Sequence, residues 1–264
     1  MDLQLKNETA FISGSTAGIG YAIASQLATE GAKVIINGRS AARLDAAVEK
    51  LKSETGNTDV SGIIADFSKS EDIEALLLQL PAVDILINNL SIFEPKPFIE
   101  ITDEDWLRFY NTNIMSGVRL SRAYISGMLQ RNKGRIIFIS SESGVFIPEE
   151  MIHYGVTKTA QIAVARGLAE MTKGTNVTVN SVLPGPTLSE GVGQFVEQLA
   201  IDQNITIEQV KKDFFKNMRP TSLLQRFLLP EEVANMVTYL VSPRASATNG
   251  AAIRVDGGLI KSML

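Results

Sequence analysis

The sequence predicts a doubly wound α/β fold: a single domain, residues 1–264, on a parallel sheet of about seven strands with helices on both faces. Three observations carry this. Short runs rich in Val and Ile are apolar at consecutive rather than alternate positions, as in strands buried on both faces. Longer stretches of helical periodicity separate them, and strands joined through helices run parallel with right-handed crossovers. Residues 188–229 break the alternation, so a helical insertion is expected there.

Thr9–Ser13 is the first strand. It runs into Gly14-Ser15-Thr16-Ala17-Gly18-Ile19-Gly20 and a helix from Tyr21 to Glu30, stopped by Gly31. A strand, a glycine turn and a helix N-terminus make an anion site, because free N–H groups and the positive end of the helix dipole face one point. Gly14 permits the tight turn, and Gly18 and Gly20 permit close approach of backbone to ligand and sheet. The spacing is Gly-x-x-x-Gly-x-Gly rather than the commoner Gly-x-Gly-x-x-Gly. Lys33–Asn37 is the second strand, followed by Gly38-Arg39-Ser40 and a helix to about Glu54. In dinucleotide folds an acid near this point holds the ribose 2′-hydroxyl, whereas an Arg accommodates a 2′-phosphate. Asn37, Gly38 and Arg39 offer no acid, which favours NADP over NAD.

Val60–Ala65 is the third strand. Asp66 at its end either bonds an adenine amino group or starts a turn, and Ser68–Glu71 has the pattern of a capping box. Val83–Ile87 is the fourth strand, ending in Asn88-Asn89-Leu90-Ser91, whose paired amides either brace neighbouring strands or line a cofactor. Thr102 is placed to cap a long helix reaching about Gln130, with Ile101 and Trp106 at staple spacing and Asn113 inside it. Asn176–Val182 is the sixth strand and runs into Leu183-Pro184-Gly185-Pro186-Thr187. Within the insertion, Ile205, Thr206, Gln209 and Val210 have staple and capping-box spacing, and Gly191 and Gly193 are expected to leave its start flexible. Phe195, Val196 and Leu199, like Ile207, Val210 and Phe214, share a helical side and suit a lid over an apolar substrate, with Lys211, Lys212 and Lys216 in solvent. Pro230-Glu231-Glu232 opens a further helix, and Ala251–Val255 is the last strand.

The densest chemistry lies between Gly134 and Lys158. Ile136–Ile139 is the fifth strand and breaks into Ser140, Ser141, Glu142 and Ser143. Helical periodicity resumes near Met151, and its four-residue offset sets Tyr154 and Lys158 side by side. Ser141 stands at a strand end, where ligands gather in open α/β sheets. A hydroxyl, a phenol and an ammonium thus converge on one volume, and the ammonium is expected to lower the Tyr154 pKa towards neutrality.

Composition narrows the possibilities. Of 264 residues 45% are hydrophobic and 20% charged, which is globular. The net charge of −4, with 25 basic against 29 acidic residues and no dense basic run, argues against a nucleic-acid or anionic-membrane surface. The absence of cysteine excludes disulfides and thiolate metal sites and, with no signal peptide at Met-Asp-Leu-Gln-Leu-Lys, places the expected location as cytoplasmic. A single histidine, His153, rules out a multi-histidine metal centre. No apolar run approaches the ~20 residues of a membrane-spanning helix.

Taken together, these motifs resemble the short-chain dehydrogenase/reductase family over nearly the whole chain. Ser13-Gly14-x-x-x-Gly18-Ile19-Gly20 matches its glycine motif. Asn88-Asn89-Leu90-Ser91 stands where the family has Asn-Asn-Ala-Gly, and the bulkier Leu90 and Ser91 would crowd the adenosine side. Asn113, Ser141, Tyr154 and Lys158 match the catalytic set, and Asn180-Ser181-x-x-Pro184-Gly185 matches the motif near the nicotinamide. The resemblance implies a Rossmann-type fold and hydride transfer between a carbonyl and a secondary alcohol. In it Tyr154 is the acid/base, Ser141 orients the oxygen, Lys158 tunes Tyr154 and holds the ribose, and Asn113 holds a relay water. It assigns the cofactor, NADP preferred with NAD possible, to Gly14, Ser15, Thr16, Gly18, Ile19, Gly20, Arg39, Ser40, Asp66, Phe67, Asn88, Asn89, Tyr154, Lys158, Pro184, Gly185, Thr187 and Ser189. It implies no metal, a small carbonyl or alcohol substrate, and a homo-oligomer, commonly a tetramer. The alternatives are a non-catalytic cofactor sensor of the same fold, an NAD-dependent alcohol dehydrogenase, and a sugar epimerase or dehydratase, whose chains are usually longer.

Overall fold

The computed structural model describes residues 2–67 and 69–263. Seven strands form one parallel sheet: β1 (Thr9–Ile12), β2 (Lys33–Gly38), β3 (Val60–Ile64), β4 (Ile85–Asn88), β5 (Gly134–Ile139), β6 (Val177–Pro184) and β7 (Ala252–Val255), ordered β3-β2-β1-β4-β5-β6-β7. Nine α-helices accompany them among the described residues: α1 (Gly18–Thr29), α2 (Ala41–Thr55), α3 (Ser70–Gln79), α4 (Asp103–Phe109), α5 (Ser116–Gln130), α6 (Ile152–Met171), α7 (Glu190–Gln203), α8 (Ile207–Asp213) and α9 (Pro230–Val241).

Successive strand residues face opposite sides of the sheet, and both sides are covered. Ile12, Ile36, Ile87 and Ile137 pack with Ile23, Leu51 and Val237 of α1, α2 and α9. Phe11, Ile35, Leu86 and Phe138 pack with Leu76, Leu120 and Ala165 of α3, α5 and α6. This two-sided burial is why the strands read as unbroken apolar runs. Each such side chain contributes roughly 1.5–3 kcal/mol by leaving water.

The chain starts mid-sheet at β1, moves out to the β3 edge, then returns to β4 on the other side of β1. That reversal opens a crevice beyond the carboxyl ends of β1 and β4. The glycine turn and the Asn88–Ser91 segment flank it.

Two expectations change. The long helix over 102–130 is divided: Thr102 accepts from Asp105 N at 3.2 Å in a capping box, but a π-helical turn, Tyr110–Met115, separates α4 from α5 and carries Asn113. A wide turn of this kind inserts an extra residue and turns one side chain inward. Gly191 and Gly193 do not loosen the start of the insertion either, because both lie within α7, which Ser189 caps. The Ser68–Glu71 capping box lies outside the described residues.

The insertion has its own small core of Val196, Ala200, Val210, Phe215 and Phe227. Phe214, Phe215 and Phe227 are mutually stacked or edge-on, with centroids 4.9–5.2 Å apart. Its two ends are tied together: Thr187 and Leu228 form a parallel bridge, with Leu188 N donating to Leu228 O and Leu228 N to Pro186 O, both at 2.8 Å.

Candidate active site

The glycine turn follows β1 with Gly14 at φ +60° and Gly18 at φ +59°, a backbone that a side chain would strain. Ala17 caps α1 without a side-chain acceptor, and no acid occupies the first turn. The leading N–H groups of α1 are therefore open to an external anion. Asn89 braces this turn by donating to Ser13 O at 3.0 Å and Gly14 O at 2.8 Å. Leu90 lies against Gly14, where a Cβ would come within 3.0 Å of Leu90 Cδ1, and both Leu90 and Ser91 line the cavity beside the glycine turn.

Asn37 explains the missing acid at the end of β2. Its Oδ1 accepts from Gly14 N at 3.1 Å, and its Nδ2 donates to Ile63 O at 3.1 Å and Ala65 O at 3.2 Å, tying three strand ends together. Arg39 and Ser40 lie beyond it, both exposed. Thr16 packs against Gly38, where a Cβ would come within 2.6 Å of Thr16 Cγ2.

Across the crevice, Ser141 follows β5 and opens a tight 3₁₀ turn, Glu142–Gly144, accepting Ser143 N at 3.1 Å. The turn sits directly on α6: a Cβ on Gly144 would lie 2.9 Å from the Lys158 carbonyl carbon. This contact brings the Ser141 turn against the helix that carries Tyr154 and Lys158. Lys158, 2% exposed, donates from Nζ to Ile139 O at 2.9 Å and to Gln161 Oε1 at 3.3 Å, and Nζ lies 5.5 Å from the Tyr154 ring centroid.

Burial overrides the expected tuning of Tyr154. Desolvation, then the Glu142 charge, push its phenol above the ordinary tyrosine value, against the smaller lowering effects of the Ser141 hydrogen bond and the Arg219 charge. Burial also pushes the Lys158 ammonium down to about 7, opposed by Glu142. Both groups are taken out of water, which disfavours phenolate and ammonium alike.

A cavity of about 590 Å³ joins the two halves. Gly14, Gly18, Ile19, Gly20, Asn89, Ser141, Tyr154, Lys158, Pro184, Gly185, Thr187 and Ser189 line it, as the sequence predicts. Several other predicted residues stand outside its wall. Ser15 is buried, with its hydroxyl donating to Ile12 O at 2.7 Å. Asn88 is buried and donates to Ser121 Oγ at 3.1 Å, bracing β4 against α5. The Phe67 ring belongs to the core, and Asp66 N donates to Asp72 Oδ2 at 2.8 Å. Thr16, packed on Gly38, and Arg39 and Ser40, which follow β2, are not part of the cavity wall either.

Asn113 uses its side chain locally, accepting Ile92 N at 2.8 Å and donating to Ile92 O and Thr157 Oγ1, both at 3.0 Å. Its carbonyl accepts from Gln161 Nε2, so Gln161 bridges Asn113 and Lys158. Gln161, Glu142 and Arg219 were missed by sequence reasoning. Gln161 sits one turn beyond Lys158, a readable spacing. Arg219 carries no local signal, because only the folded insertion brings it to the site.

A parallel doubly wound sheet, an uncapped helix N-terminus over a glycine turn, and a Ser–Tyr–Lys cluster facing it define an NAD(P)-dependent oxidoreductase. A family model described as enoyl-(acyl carrier protein) reductase matches residues 14–260. The chain is 48% identical to the uncharacterized oxidoreductase YvaG of Bacillus subtilis (strain 168) over 263 residues, covering 100% of both chains. It is 32% identical to the 3-oxoacyl-[acyl-carrier-protein] reductase FabG of Aquifex aeolicus (strain VF5), covering 98% of this chain and 100% of that one. L-sorbose reductase from Gluconobacter frateurii, solved with NADPH and L-sorbose, matches with a TM-score of 0.92 at 31% identity over 100% of both chains. The protein belongs to the short-chain dehydrogenase/reductase family of oxidoreductases. Among the described residues no helix is long and apolar enough to cross a membrane.

Proposed function

We propose that the protein is an NADP(H)-preferring reductase or dehydrogenase that interconverts a small carbonyl compound and its secondary alcohol. One observation carries the reading: Ser141, Tyr154 and Lys158 share a cavity wall with the open N-terminus of α1. The residues suit a dinucleotide, since the positive-φ glycines leave a cradle and no side chain caps the N–H groups that would hold a pyrophosphate. When bound, the dinucleotide supplies or accepts hydride.

Tyr154 then gives a proton to the substrate oxygen in reduction and takes it back in oxidation. Burial keeps the phenol protonated, which suits an acid. Ser141 holds the same oxygen by hydrogen bond. Lys158 keeps an ammonium beside Tyr154, anchored on Ile139 O. Gln161 and Asn113 fix Lys158 from behind. Arg39 and Ser40, exposed at the end of β2, receive the 2′-phosphate. The bound NADPH of the similar L-sorbose reductase supports this preference. Residues 188–229 form a lid whose Phe195, Leu199 and Phe214 face the cavity and exclude water from the reacting centre.

Replacing Tyr154 by Phe removes the proton and little else. Turnover of a carbonyl panel with NADPH is expected to fall by roughly 10²–10⁴-fold while NADPH still binds. Wild-type rates in Tyr154→Phe would refute the reading.

A further inference from the structure

Glu142 and Arg219 stand outside the proposed catalytic set, yet each is only 4% exposed, and both line the cavity beside Ser141 and Tyr154. Ser141 Oγ accepts Ser143 N at 3.1 Å and donates its own proton to Glu142 Oε2. A serine hydroxyl has a single proton. While that proton lies on Glu142, Ser141 has a lone pair to offer an oxygen in the cavity but no donor for a carbonyl.

The other carboxylate oxygen, Glu142 Oε1, faces Arg219 Nε at 3.5 Å, too long for a hydrogen bond. Nε is buried and makes no hydrogen bond among the described residues. The rest of the guanidinium is held: Nη1 donates to Glu150 Oε1 at 3.1 Å and to Met218 O at 2.9 Å, and Cζ lies 5.7 Å from the Phe214 ring centroid. An unsatisfied buried donor is costly, and Glu142 Oε1 is the acceptor in front of it.

We propose that Glu142 and Arg219 are positioning residues for Ser141: the carboxylate sets the direction of the Ser141 hydroxyl, and the guanidinium, delivered by the insertion, compensates the buried carboxylate and competes for it. When Arg219 Nε engages Glu142 Oε1, the carboxylate is a weaker acceptor for Ser141, whose proton turns to the substrate carbonyl oxygen. The inference rests on the roles proposed above for Ser141 and Tyr154. Two consequences separate it from a packing role. The effect of Glu142 on turnover passes through Ser141, and its charge is felt at Lys158. Lys158 is faced by Ile139 O from β5, by Gln161 and Tyr154 from α6, and by Glu142 from the 3₁₀ turn, which is the charged group that bears on it.

The first test is kcat for reduction of 2,3-butanedione with NADPH. Ser141→Ala and Arg219→Met should each lower kcat roughly 10–100-fold, the worth of one charge-assisted hydrogen bond, with KM for NADPH little changed. Arg219→Lys should recover most of the Arg219→Met loss. Glu142→Gln, a weaker acceptor for the Ser141 proton, should cost less than Arg219→Met, and the double variant Glu142→Gln/Arg219→Met should be faster than Arg219→Met alone. Wild-type kcat in Arg219→Met, or a double variant slower than Arg219→Met, overturns the inference. Wild-type kcat in Ser141→Ala instead overturns the role proposed for Ser141.

The second test needs no substrate. The Lys158 titration is followed in ¹³Cε-labelled lysine, assigned with Lys158→Met. It should move to lower pH in Glu142→Gln, because the charge that raises it is removed. An unmoved titration in Glu142→Gln overturns the inference even if butanedione proves a poor substrate. Thermal unfolding of each variant identifies any that fails to fold, and Arg219→Lys and Glu142→Gln keep size and polarity.

Discussion

Lys158 carries a cost that its surroundings make measurable. Its folded-state pKa of about 7 lies below the ordinary lysine value of 10.5, because burial penalises the ammonium. Between those values the unfolded chain binds more protons than the folded one, so folding stability rises with pH across this window and falls as pH drops towards 7. In the ligand-free protein, urea unfolding at pH 7 and 9.5 should show this rise, at most ~1.4 kcal/mol per pH unit, and Lys158→Met should abolish it. An equal rise in the variant assigns it to other groups. Arg39 offers a second test at this scale. Wild type should bind NADP(H) more tightly than NAD(H), and Arg39→Ala should narrow the gap by roughly tenfold, the worth of one charged hydrogen bond. Equal dissociation constants in wild type would count against the preference. Residues whose place in the cavity wall follows from local spacing were legible: Ser141 at a strand end, Tyr154 and Lys158 four apart on α6. Glu142 and Arg219 were not, because their meaning is a pairing between the turn after β5 and the end of a distant insertion. The direction of the Tyr154 shift was also illegible, since spacing reveals a neighbouring charge but not how much water burial removes.

At the level of elements, β1, β2, β4, β5 and β6 were readable because a strand buried on both faces leaves a largely apolar run, and the more exposed edge strands β3 and β7 through their place in the strand–helix alternation; boundaries moved by a residue or two where pairing, not composition, ends the strand. The π-helical turn Tyr110–Met115 escaped notice because widening one turn leaves the apolar pattern on either side intact. The insertion was legible as an interruption and through the Thr206 cap, which accepts Gln209 N at 3.1 Å. Its dual packing was not: Val196 and Val210 belong to its private core and also reach the cavity wall. A module with so small a core should open more readily than the sheet, even with its tail tied to Gly257 and Leu259. Hydrogen exchange over 188–218 is expected to be fast in the free protein and slower with NADPH and an alcohol or ketone bound. Strong and equal protection in both states would make it a fixed element rather than a lid.

For the molecule as a whole, the unanswered surface lies on α4, the π turn and α6. On the helices spanning 103–130 and 152–171, Phe109, Tyr124 and Ala165 are consumed by the chain's own core. Apolar exposure falls instead on Leu107 at 60%, Tyr110 at 48% and Val156 at 41%, along the same helices. The protein is therefore expected to self-associate through this face into a tetramer, and light scattering at micromolar concentration checks it; a monomer would refute the assignment. The bridge between Thr187 and Leu228 has a consequence for how such a chain diversifies. The segment between them leaves and rejoins the body across one strand spacing, about 4.8 Å. A replacement of quite different length needs only to close that gap, and closure entropy grows slowly with loop length. Phe195, Leu199 and Phe214 of the cavity wall thus sit in a segment whose length can vary, while Ser141, Tyr154 and Lys158 stay on the turn after β5 and on α6.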